Sequence, residues 1–70
     1  MNAEQIFAER LRELRQEAKL STRELAKKLG VSNASISRWE NCVREPNLIN
    51  IIQIARFFNV STDYLCGLEN

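Results

Sequence analysis

The residues of this chain best equipped for chemistry are Asn33, Ala34, Ser37, Arg38 and Asn41, and their chemistry is recognition rather than catalysis. On a helical wheel at ~100° per residue, with Asn33 at zero, Ser37, Asn41, Ala34 and Arg38 fall at about 40°, 80°, 100° and 140°. Ile36 and Trp39 fall opposite, at about 300° and 240°. One face is apolar and the other carries small polar groups plus one arginine. A merely solvated helix more often carries Lys and Glu there. Small side chains let a helix backbone approach the edges of base pairs. Arg38 can pair with guanine O6 and N7, and Asn33 with adenine.

Other chemistries lack their parts. Histidine is absent, so the commonest general base and the commonest metal ligand are both missing. Cys42 and Cys66 stand 24 positions apart with no CxxC pair, and they read as two reduced thiols. The serines have no histidine base, and the carboxylates fall on exposed helix faces with no apolar pocket to shift them. An enzyme is not expected, nor a metal, a cofactor or a small-molecule ligand. No apolar run approaches the ~20 residues of a membrane span. The N-terminus lacks the layout of a signal peptide. A cytoplasmic location is the expectation.

The elements that must position these residues are all helical. Apolar residues recur with helical period almost throughout, and no alternating stretch reads as a strand. Phe7, Leu11, Leu14 and Ala18 form one stripe, giving a first helix over about 3–18 with Asn2 as its cap. Ser21 and Glu24 spell a capping box for a second helix over 22–29, which Gly30 ends in a left-handed conformation. Ser32 caps a third helix over about 33–41, which stops before Pro46. Asn47 caps a fourth, with Leu48, Ile51, Ile52, Ala55 and Phe58 expected inward and Asn59 as terminator. Ser61 caps a short fifth helix that ends at Gly67. Seventy residues allow one domain at most, so residues 1–70 are expected to be a single all-α, five-helix orthogonal bundle.

Within it, residues 22–41 have the layout of a helix-turn-helix. Small Ala26 faces the turn and Gly30 sits in it. Leu25, Leu29, Val31, Ile36 and Trp39 fill the angle between the two helices. Such a motif presents its second helix to the DNA major groove. Charge distribution agrees. Residues 1–44 hold nine Lys/Arg against six Glu, whereas residues 45–70 hold one arginine against three acids. A net charge of only +1 thus conceals a basic front half suited to phosphate. Arg44, in the loop after the third helix, is a further phosphate candidate.

The run LSTRELAKKLGVSNASISRWENCVREPN resembles the Cro/C1-type (Xre-family) helix-turn-helix repressors, whose pattern is roughly LSQEELAEKLGVSxxxISRWENGxxxP. The likeness extends from Leu11 to Leu68. It implies a lambda-repressor-like DNA-binding domain and a sequence-specific transcriptional regulator, most simply a repressor of double-stranded DNA operators. By position, it implies base reading by Asn33, Ala34, Ser37 and Arg38. It implies phosphate binding by Thr22, Ser32 and Asn41, and a structural pair between Arg15 and Glu40. Two positions depart from the pattern. Thr22 replaces the glutamine that usually opens the second helix, and Cys42 replaces a glycine. Because one motif covers about half of a usual operator, a homodimer on a palindromic site is expected; Tyr64, Leu65 and Leu68 are the interface candidates, with core closure as their other reading. The competing expectation is a protein-interaction module, such as the antitoxin of a toxin–antitoxin pair.

Overall fold

A computed structural model describes residues 1–69. It contains five helices: α1 (Ala3–Glu17), α2 (Thr22–Leu29), α3 (Asn33–Glu40), α4 (Leu48–Phe58) and α5 (Thr62–Cys66). Each starts on a short polar residue. The side chains of Asn2, Ser21, Ser32, Asn47 and Ser61 accept from the backbone N–H three residues on. That bond satisfies one of the free amides at each helix start. Ser21 and Glu24 close a full capping box, and so do Asn2 and Gln5. The Glu24 carboxyl is held below its usual range by the Ser21 N–H it accepts from.

Left-handed residues end three of the helices: Gly30, Asn59 and Gly67. Each turns the chain sharply at a single residue, so the next segment can start in a new direction. α1 packs on α3 and α5, α2 on α3 and α4, and α4 on α5. The core between them is Phe7, Leu11, Leu25, Ala26, Leu29, Ile36, Trp39, Ile54, Ala55 and Leu65. Gly67 approaches α1 so closely that a Cβ there would lie 2.7 Å from Ile6 Cδ1.

Several sequence expectations need correction. α1 stops at Glu17, and Ala18 is an exposed C-cap rather than the end of the buried stripe. Lys19 follows with φ 58°, a left-handed residue that turns the chain toward α2. Leu48 does not face inward. It is 71% exposed, at the first position of α4. Ile54 takes the central position instead and is fully buried. Leu65 is likewise fully buried, so it closes the core and is not available to a dimer surface.

Candidate nucleic-acid interface

α3 is fixed on its inner side and open on its outer side. Ile36 and Trp39 anchor it in the core, and Ala26 lets α2 come close. Outward, Ala34, Arg38 and Asn41 are exposed, with Ser37 and Asn33 half-buried beside them. The face drawn on the wheel is therefore the face that reaches solvent. Arg38 sits in the last turn with its side chain free to extend. Asn33 is less ready. Its Oδ1 is buried without a hydrogen-bond partner. Pairing with adenine needs that oxygen to accept from N6, so the side chain must rotate outward first.

The helix is braced from behind by an ion pair. Glu40 is only 7% exposed. Arg15 on α1 meets it with two parallel bonds, Nε to Oε2 at 2.7 Å and Nη2 to Oε1 at 2.9 Å. Arg15 Nη1 also donates to the Leu20 carbonyl at 2.9 Å, fastening the α1–α2 turn to the same group. The forked geometry matches a carboxylate with both donors at once. The hydrogen bond to Glu40 pushes the Arg15 pKa up further, against the opposing effect of burial. Arg12 joins from the next turn of α1, with Nη2 donating to the Glu40 carbonyl at 3.0 Å. Sequence spacing alone did not single out Arg12, since its partners lie 28 and 29 positions away.

The remaining candidates differ in how free they are. The Ser32 hydroxyl caps α3 and hydrogen-bonds the Ser35 hydroxyl at 2.9 Å. Thr22 is half-buried at the first position of α2. Asn41 donates through Nδ2 to the Ser37 carbonyl at 2.8 Å. Arg44 is exposed, and its backbone N–H lies 3.4 Å from the Arg38 carbonyl. Cys42 takes φ 58°, so the left-handed backbone usual for a glycine is kept despite the side chain. Its thiol points to the Glu4 carbonyl at 3.7 Å and not toward α3's outer face. Tyr64 lies half-buried beneath the Arg10 guanidinium, 4.3 Å from its ring centroid, whereas Leu68 is 76% exposed.

A helix-turn-helix family model matches residues 11–65, which takes in all of α2, α3 and α4. The chain belongs to the Cro/C1-type helix-turn-helix family. Over 63 residues it is 39% identical to the HTH-type transcriptional regulator ImmR of Bacillus subtilis (strain 168), covering 90% of this chain and 50% of ImmR. It is also 39% identical over 61 residues to Repressor protein C2 of Salmonella phage P22, covering 87% of this chain and 28% of C2. The chain thus spans about half or less of these relatives' length. Among solved structures, the crystal structure of the P22 c2 repressor protein with synthetic operator 9T superposes with a TM-score of 0.83 at 36% identity. That match covers 90% of this chain and 96% of the other. The bundle therefore has the lambda-repressor-like fold. No helix among the described residues is long and apolar enough to cross a membrane.

Proposed function

We propose that this chain is the DNA-binding unit of a transcriptional repressor that reads a double-stranded operator with α3 in the major groove. The observation that carries this reading is the outer face of α3. Ala34, Ser37 and Arg38 project from a helix whose inner side is held by Ile36, Trp39 and the Arg15–Glu40 pair. Such a helix meets base edges without first ordering itself. Arg38 would read guanine, and Asn33, once turned outward, adenine. Ala34 leaves room for a thymine methyl. Arg44 and the start of α2 at Thr22 would meet the flanking phosphates. The relatives' names and the operator complex of the P22 protein support this assignment. They do not favour the antitoxin alternative.

The domain's largest dimension is 27 Å. That is shorter than the ~34 Å between successive major grooves on one face of the duplex, so one copy covers one half-site. A homodimer would place a second α3 in the next groove. With Leu65 buried, Leu68, 76% exposed, is the most open member of the expected interface set.

Selection of duplexes from a random library at about 150 mM salt, where sequence-independent phosphate binding is weak, tests the reading. Enrichment of a two-fold symmetric site with half-sites ~10 bp apart is expected. Arg38→Ala should relax preference at one base pair of each half-site, at a cost of ~1–3 kcal/mol. A library that returns no enriched sequence would overturn the proposal.

A further inference from the structure

We propose that the cavity where α1, the α3–α4 loop, α4 and α5 meet is a binding site for a small organic cation, a short alkyl body carrying one ammonium head. None of its lining residues belongs to α2 or α3, so the site is separate from the outer face of α3 and does not depend on what that face binds. Phe7, Pro46, Ile51 and Cys66 form its apolar wall, and the exposed Glu4 and Glu45 line its open side. The cavity measures about 190 Å³. An apolar cavity of about 150 Å³ takes up benzene, so this one has room for a short alkyl chain or a single ring.

The two carboxyls supply the partner for the head. One stands on α1 and the other in the α3–α4 loop, and the fold holds them within hydrogen-bonding reach of each other. Among the described residues neither has an ion-pair partner. The strain of that arrangement shows in Glu4, which is held above the usual carboxylate range by its hydrogen bond with Glu45 and then by that neighbour's charge. Two like charges so placed repel, and a cation beside both replaces the repulsion with two attractions. A neutral apolar ligand would use the wall and leave the carboxyls as they are. A metal ion would use the carboxyls and not the wall, and among the described residues no group of three or more metal-ligating side chains stands ready for one. The occupant that uses both is an amphiphilic monocation.

The test titrates the isotope-labelled chain with n-butylammonium chloride at pH 7 and constant ionic strength, followed by amide chemical shifts. Saturable shifts confined to the neighbourhood of Phe7, Glu45, Ile51 and Cys66 are expected, with half-saturation at about 1–10 mM for so small a ligand. The melting temperature should rise with ligand, because only the folded chain has the site. n-Butanol, the same body without the charge, should bind about tenfold more weakly, the loss typical of one charge-assisted contact. Glu4→Gln with Glu45→Gln, both on exposed side chains, should weaken n-butylammonium to the level of n-butanol. Ala3→Leu, which fills the cavity from the first turn of α1, should abolish binding of both with the helical signal unchanged. Shifts that grow without saturating, or that spread over the other surface acids, would overturn the proposal. So would equal affinity for n-butanol, or undiminished binding by the double glutamine variant.

Discussion

Replacing Arg15 with alanine tests whether a buried ion pair holds α3 to the bundle. The side chain makes three hydrogen bonds, two to the Glu40 carboxylate and one to the Leu20 carbonyl. Glu40 is 7% exposed, so its charge cannot simply turn to water. After the substitution, Arg12 is the remaining cation, with Nε 3.4 Å from Oε1. Removing one partner of a buried pair costs about 3–5 kcal/mol. Arg12 and water entering the vacated space offset part of that, which puts the expected loss at the lower end, ~3 kcal/mol. A domain of this size has roughly 4–10 kcal/mol in total. Each kcal/mol lowers the melting temperature by about 4–8 °C, so Arg15→Ala should melt roughly 12–24 °C below wild type by far-UV circular dichroism. The double variant Arg15→Met with Glu40→Leu leaves no unpaired charge and should recover most of the loss. Melting of the alanine variant within about 4 °C of wild type would refute the argument, since a loss below ~1 kcal/mol is what an exposed pair shows.

Three further outcomes follow from particular residues. Glu4 is held above the usual carboxylate range by its hydrogen bond with the Glu45 carboxyl and by that neighbour's charge. The folded chain therefore keeps a proton that the unfolded chain releases, and this contribution is present below the ordinary carboxylate pKa and lost as pH rises through the raised one. Glu45→Gln should remove that loss, so its melting temperature should fall less, or rise more, than wild type between about pH 4 and pH 6; parallel profiles would count against it. Cys42→Gly relieves a side chain at φ 58° and should raise stability by ~1 kcal/mol in urea melts. A lower midpoint would show that the thiol contact with the Glu4 carbonyl matters more. Gly67→Ala places a Cβ 2.7 Å from Ile6 Cδ1 at φ 84° and should cost about 1–3 kcal/mol; an unchanged midpoint would show that α5 can move away freely.

What was legible in the sequence was what is local. Ser21 with Glu24 and Gly30 marked both ends of α2, because a cap and a left-handed stop act on the residues beside them. The outer face of α3 was legible because Ile36 and Trp39 leave only one apolar side. The inward face of α4 was not. LINIIQIARFF is apolar almost all round, so periodicity has no polar stripe to orient it and does not separate exposed Leu48 from buried Ile54. For Leu65 the sequence leaves core closure and a dimer surface both open; α1 and α4 pack on α5, and Leu65 is fully buried in the core. Arg12 is illegible for a different reason: an exposed arginine gains meaning only from what folding brings beside it, here Glu40.

The brevity of the helices has a consequence for how the protein would be regulated. α2 and α3 have eight residues each. An isolated helix needs about 12–15 to persist in water. Neither can therefore survive release of Ile36 and Trp39 from the core, and α3 has no partly formed version outside the folded bundle. Its amide protons should exchange through global opening alone. On the function proposed above, the concentration able to bind an operator is the folded concentration, and a change in stability near the midpoint would act on occupancy as directly as a change in expression.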